Sequence, residues 1–162
     1  MYELLIRYFT PALTADIGCG AGRDTAWLSK NNFEVIGYDA SDELLREARQ
    51  HFPDVAFEFA TLPRLEEIEP RKNFQNILCE TVIMHLEAQQ VGAARRRLID
   101  ILRPQGTLFL SWRVTDGHPK ETNISACIHR LTQTSFLMSA EDIPCFLITS
   151  QSVNHLAKLC IG

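Results

Sequence analysis

Short apolar runs rich in β-branched and aromatic residues alternate along the chain with stretches whose apolar positions recur at helical spacing. That alternation is the pattern of a parallel sheet covered by helices on both faces. The run ALTADI (12–17) predicts a first strand and RDTAWLSKN (23–31) the helix after it. FEVIGYD (33–39) predicts a second strand. Ser41 then caps a helix, DELLREARQHF (42–52), whose Asp42 and Glu43 complement its N-terminal dipole and which Pro53 helps to stop. VAFEFA (55–60) is a third strand, followed by TLPRLEEI (61–68), a loop with room for one helical turn, and FQNILCE (74–80) is a fourth. Between Glu87 and Leu102, Val91, Ala94, Leu98 and Ile101 share one helical face, and RPQG (103–106) then turns the chain into a fifth strand, TLFLSWR (107–113).

Beyond Arg113 the periodicity weakens. VTDGHPKETN (114–123) reads as a loop, ISACIHRLTQTSFLM (124–138) as a weak helix, CFLITS (145–150) as one further strand and SVNHLAKLC (152–160) as a terminal helix. A chain of 162 residues fits one domain over 1–162, here a core of 1–113 and a divergent C-terminal segment of 114–162. A fifth strand at the edge of the sheet would present unpaired N–H and C=O groups. Residues 145–150 are expected to add there, or the chain to self-associate as a homodimer.

Composition narrows the class. Apolar residues are 46% and charged residues 22% of the chain, close to the globular average, which excludes a disordered or fibrous protein. The formal charge is −4, and the one tight basic run, Arg95, Arg96 and Arg97, shares its helix with Asp100, so it reads as a solvated face and no nucleic-acid partner is expected. No apolar stretch reaches the roughly 18 residues that span a bilayer, and MYELLIRYF (1–9) lacks the charge order of a signal peptide, so no membrane partner and a cytoplasmic location are expected. Five cysteines, Cys19, Cys79, Cys127, Cys145 and Cys160, form no C-x-x-C pair and are odd in number, which fits neither zinc nor a disulfide framework. They are expected to be reduced and mostly buried, and no metal site is expected.

Residues 15–28, ADIGCGAGRDTAWL, set Asp16, Gly18, Gly20 and Gly22 at the junction of the first strand and its helix. Such a turn lets backbone approach a ligand and offers the unpaired N–H groups of a helix N-terminus. A dinucleotide fingerprint needs its third glycine three residues after the second. Position 23 is Arg23, so that fingerprint fails.

The spacing D-x-G-x-G-x-G resembles instead the first motif of class I S-adenosylmethionine-dependent methyltransferases. The resemblance implies a Rossmann-like, doubly wound, mostly parallel α/β sheet with five clear strands here, C-terminally incomplete because the family adds a sixth and a seventh. It implies S-adenosyl-L-methionine as cofactor, its methionine portion wrapped by Asp16, Gly18, Cys19, Gly20 and Gly22, with Asp16 near the ammonium group and Arg23 on the carboxylate. Asp39 closes the second strand 21 residues after Gly18, where an acidic side chain takes both ribose hydroxyls, and Ala40 and Ser41 lie beside the adenosine. TLPRL resembles the loop that borders the adenine. An acidic residue often stands two before its Leu-Pro pair; this chain has Ala60, so adenine recognition falls to backbone groups near Thr61 and Leu62, or is weakened. Glu80 and Thr81 match the residues that line the methyl-donor side, and LRPQGTLFLSW resembles the helix end, turn and fifth strand of the family.

The reading that follows is methyl transfer to a small-molecule acceptor. The alternative is a catalytically inactive cofactor-binding or regulatory partner, because the residues before Asp16 and the segment after 113 are thin for binding an acceptor. A nucleotide-binding protein of another type is the third reading. Individual residues keep plainer alternatives: a ligand-free turn for the glycines, helix capping for Asp39, pairing with Asp24 for Arg23, a surface acid for Glu80, and core or pocket wall for Trp27 and Trp112. His85, the one candidate base, either acts on an acceptor proton or packs at the start of the next segment.

Overall fold

A computed structural model describes residues 1–69, 73–112 and 145–149. Helix α1 (Tyr2–Tyr8) precedes β1 (Leu13–Ile17), α2 (Arg23–Lys30), β2 (Glu34–Asp39), α3 (Asp42–His51), β3 (Ala56–Phe59), β4 (Phe74–Glu80), a 3-10 turn (Ile83–His85), α4 (Ala88–Asp100), β5 (Leu102–Trp112) and β6 (Cys145–Thr149). Local chemistry sets several boundaries. Ser41 Oγ accepts the Leu44 N–H at 3.3 Å and so caps α3. Glu87 and Gln90 form a capping box at the start of α4.

The six strands form one parallel sheet in the order β3-β2-β1-β4-β5-β6. Alternate residues feed the two faces. Ile77 and Cys79 of β4 join Ala15, Ile17, Leu98 and Ile101 in one core, whereas Leu78 joins Leu5, Leu28 and Phe109 in the other. The sheet is therefore covered on both sides, as the alternating pattern predicts. Strand order reverses between β1 and β4, and chains leaving those strands in opposite directions open a crevice at their carboxyl ends.

Two elements differ from expectation. The segment RPQG lies inside the eleven-residue β5 rather than before it. Register jumps from Phe74↔Leu102 to Asn76↔Thr107, and Gln105 takes a φ of 62°. Pro104 has no N–H to continue the ladder, so the surplus residues bulge out and the strand resumes beyond them. The basic run on α4 is also not a uniformly solvated face. Arg96 is exposed, but Arg97 donates to three carbonyls of the loop after β3: Nε to Arg64 at 2.8 Å, and Nη2 to Leu65 at 3.1 Å and Ile68 at 2.9 Å.

At the other edge, β6 pairs with β5 from Leu108↔Cys145 to Trp112↔Thr149, which covers β5 with the chain itself. The loop and helices read between 114 and 138, and the terminal helix of 152–160, lie outside the described residues. Cys19 and Cys79 carry free thiols, the second fully buried. Among the described residues no helix is long and apolar enough to cross a membrane, and no cluster could hold a metal ion.

Candidate functional site

The loop after β1 turns on three glycines with positive φ: Gly18 at 78°, Gly20 at 55° and Gly22 at 83°. Tyr38 O accepts from the N–H groups of both Gly18 and Cys19, at 2.7 and 3.0 Å, which ties the loop to β2. A Cβ on Gly22 would stand 2.5 Å from Phe57 Cζ and 3.0 Å from Ala48 Cβ, whereas one on Gly20 would meet nothing within 4 Å. Gly22 is thus required by the protein's own packing. Gly20 is required by its backbone twist and leaves open space above the loop. Gly22→Ala is expected to cost about 3 kcal/mol, from overpacking plus left-handed strain, and Gly20→Ala about 1 kcal/mol. Thermal melts of both variants check this, and equal losses would remove the distinction.

Asp39 joins the loop to the end of β2. Its Oδ2 accepts the Gly20 N–H and its Oδ1 the Ser41 N–H, each at 2.8 Å. Each carboxylate oxygen keeps a further acceptor position. Capping of α3 is the work of Ser41, so the capping alternative for Asp39 falls away.

A cavity of about 260 Å³ opens between β1 and β4, lined by Asp16, Gly18, Cys19, Ala21, Arg23, Asp24, Glu80 and Thr81. Three of these eight are acidic, and their environments separate their titration. Asp16 is buried, and burial raises its carboxyl to about 7 against a 2.6 Å hydrogen bond from Thr25 Oγ1. Burial raises Glu80 as well, helped by the charge of Asp24. Asp24 goes the other way: burial alone would raise it, but hydrogen bonds from Arg23 and Tyr2 hold it low. The Arg23 guanidinium grips Asp24 through Nε at 3.0 Å and Nη2 at 3.1 Å, and the Tyr2 hydroxyl donates to Asp24 Oδ1 at 2.6 Å. Tyr2 in turn stacks on Trp27, ring centroids 4.3 Å apart, so α1 reaches the rim of the cavity. Thr81 takes a φ of 55°, held by its N–H to Ser111 O and Oγ at 3.0 and 3.2 Å. A β-branched residue is strained there.

A second cavity, about 180 Å³, lies in the loop after β3, lined by Thr61, Leu62, Pro63, Arg64, Glu66 and Glu67. The Ala60 N–H donates to Asp39 O at 3.1 Å, so this loop starts beside the end of β2. In strand order the carboxyl edge therefore presents β4 and β1 with the acidic cavity, β2 with Asp39, and β3 with the second cavity. Three strand spacings span roughly 14 Å.

The structure brings Asp16, Gly18, Cys19, Arg23, Glu80 and Thr81 around one cavity and hydrogen-bonds Gly20 to Asp39, with Ala40 and Ser41 following. Thr61 and Leu62 line the neighbouring cavity. His85 is exposed on the 3-10 turn and lines neither cavity. Trp27 packs against Tyr2 rather than into the cavity. Sequence reasoning missed Tyr2, Thr25, Glu67 and Arg97, and met Asp24 only as an alternative partner for Arg23. No local pattern marks Tyr2, Thr25 and Arg97, because each acts on a partner from another element, whereas Glu67 accepts from Thr61 within its own loop.

Residues 15–106 match the methyltransferase domain family model, more than half of the chain. This chain belongs to that family, within the class I S-adenosylmethionine-dependent methyltransferases, whose cofactor is S-adenosyl-L-methionine. A ubiquinone biosynthesis O-methyltransferase of Bradyrhizobium diazoefficiens is 34% identical over 98 residues, covering 59% of this chain and 38% of that enzyme. Among solved structures, an S-adenosylmethionine-dependent methyltransferase from Mesorhizobium loti is 25% identical with a TM-score of 0.56, covering 65% of this chain and 50% of that one. Another from Methanosarcina mazei shares the fold with a TM-score of 0.61 at 18% identity, covering 67% of this chain and 56% of that one. The matched part of this chain spans well under half the length of the Bradyrhizobium relative.

Proposed function

We propose that this chain binds S-adenosyl-L-methionine along the carboxyl edge of its sheet and transfers the methyl group to a small-molecule acceptor. The observation that carries the reading is the 2.8 Å hydrogen bond from Gly20 N–H to Asp39, which joins the glycine loop and the acidic end of β2 into one cradle. When bound, the cofactor supplies a methyl group already activated on a sulfonium. The residues therefore have to bind, orient and exclude water more than to move protons. An exposed His85 outside the cavities is consistent with a site that needs no strong base, and no base is assigned.

The residues fit the group. Asp39 offers two oxygens to a ribose diol, Ala40 and Ser41 flank the adenosine, and Thr61 and Leu62 border the base. Asp16 and Glu80 have raised pKa values because they are buried, a cost that a cationic group in the cavity offsets. Arg23 keeps guanidinium N–H groups beyond the two that grip Asp24, enough to meet a carboxylate at the cavity mouth. Gly18, Cys19 and Thr81 line the cavity, and Gly20 and Gly22 hold the loop in its left-handed turn. The Bradyrhizobium relative is named for O-methylation in ubiquinone biosynthesis, which supports a small molecule with an oxygen nucleophile as acceptor.

The test is calorimetric titration of the protein with S-adenosylhomocysteine, followed by transfer of labelled methyl to a panel of phenol and carboxylic acid acceptors. Micromolar binding with transfer is expected. A folded protein that does not bind sinks the reading. Binding without transfer to any acceptor favours the inactive cofactor-binding partner instead.

A further inference from the structure

We propose that Tyr2 is a positioning residue for Arg23: acting through Asp24, it holds the guanidinium at the mouth of the acidic cavity with one donor edge turned to the ligand, and so makes the site selective for ligands that carry a carboxylate. The inference rests on the cofactor site proposed above. It assigns part of that site's selectivity to a residue outside both the glycine motif and the segment matched by the family model.

The geometry begins with a pair that a helix does not form unaided. Arg23 and Asp24 are the first two residues of α2, and neighbours at i and i+1 point to different sides of a helix. Here Asp24 Oδ1 accepts from Arg23 Nε at 3.0 Å and Oδ2 from Nη2 at 3.1 Å. A third group turns Asp24 that way, the Tyr2 hydroxyl, which donates to Oδ1 at 2.6 Å. Burial and the Asp24 carboxylate raise the pKa of Tyr2, so it stays protonated and remains a donor. A guanidinium donates along two bidentate edges. Asp24 takes the edge of Nε and Nη2, which leaves the edge of Nη1 and Nη2 for a second carboxylate. The Arg23 side chain is 78% exposed and that of Asp24 only 16%. A solvated arginine samples many rotamers, and an edge already held in place gives up less freedom when a ligand binds it.

The placement of Tyr2 is itself built. Its ring stacks on Trp27 with centroids 4.3 Å apart and planes 13° apart. Leu5, about one turn further along α1, is fully buried. Asn76 Nδ2 donates to Thr10 O at 2.8 Å and Asn76 Oδ1 accepts the Thr10 N–H at 3.2 Å, which fastens the chain just after α1 to β4. Tyr2→Phe therefore keeps the ring and its stack and removes only the donor to Asp24.

The experiment is calorimetric titration with S-adenosylhomocysteine and with its decarboxylated analogue, in which hydrogen replaces the carboxylate. Wild type, Tyr2→Phe, Arg23→Gln and the double variant are compared, with a thermal melt of each. Wild type is expected to bind the compound with the carboxylate at least about tenfold more tightly. In Tyr2→Phe that preference should shrink about fivefold, through weaker binding of S-adenosylhomocysteine and not of the analogue. Arg23→Gln should lose the preference, and adding Tyr2→Phe to it should change neither affinity further. A role confined to stability would lower the melting temperature of Tyr2→Phe and leave the preference intact, or weaken both ligands alike, and either result overturns the inference. So does an absence of preference in wild type, or a Tyr2→Phe effect that persists without Arg23. These outcomes leave the cofactor site standing, whereas failure of wild type to bind either compound overturns the cofactor reading and this inference with it.

Discussion

Replacing Asp39 with alanine raises the dissociation constant for S-adenosylhomocysteine by on the order of 100-fold in the expected outcome, from two lost charge-assisted hydrogen bonds to a diol. The same change removes the acceptors of the Gly20 and Ser41 N–H groups, so the loop loses its tie to β2 even without ligand. Asp39→Asn separates the two effects. The amide retains one oxygen for a single N–H and presents its NH₂ group to the other, so it should recover part of the stability and little of the affinity. Calorimetry of the three proteins, with thermal melts beside it, gives the answer. An alanine variant that binds as tightly as wild type would show that the ribose is held elsewhere and that Asp39 only shapes the turn.

Asp16→Asn is expected to change how stability depends on pH. In the folded protein burial raises this carboxyl to about 7, against 3.8 for the exposed group. Between those values the folded state holds a proton that the unfolded state has released, so stability falls as pH rises. The stabilisation is complete below about pH 4 and is lost as pH passes about 7. Three pKa units set an upper bound of about 4 kcal/mol. Asparagine has the neutral shape at every pH and can still accept from Thr25, so the variant should melt close to wild type at pH 4 and clearly above it at pH 8. Glu80, raised in the same direction, leaves a residual slope in the variant. Binding of S-adenosylhomocysteine should move the opposite way, because the cationic ammonium loses an anionic partner. Parallel melting curves for the two proteins across this pH range would show that Asp16 is not held protonated in the fold.

Stability and affinity thus pull in opposite directions at one residue. A buried carboxyl without a compensating positive charge costs stability near neutral pH, and a ligand carrying one recovers it. Asp24 does not share this behaviour although it lines the same cavity, because Arg23 and Tyr2 already meet its charge.

The strands and long helices from β1 to residue 112 were legible in the chain because the signals that make them are local, whereas α1 was not assigned. Period-two and helical spacing, Ser41 and the box of Glu87 and Gln90 at helix starts, and glycines where φ must be positive all act within a few residues. The glycine spacing with Asp39 was enough to point to the family, and β6 fell where an exposed fifth-strand edge called for one. The bulge at 103–106 was misread as a turn because Pro-Gln-Gly signals a break in the ladder without saying whether the strand resumes its direction.

What only the tertiary structure decided are the pairings between residues far apart in sequence. Gly20 and Asp39 meet because β1 and β2 are neighbours, and Asn76 clasps Thr10 across 66 positions because α1 ends against β4. Arg97 reaches the loop after β3 across about thirty residues, which turns a run that composition assigns to solvent into the support of that loop. The titration of Asp16 likewise depends on burial, which the residue type does not carry. Sequence encodes local conformation directly, because torsional preference and periodicity belong to the residues themselves. Contact, charge environment and reach depend on strand order, and strand order exists only once the sheet has formed.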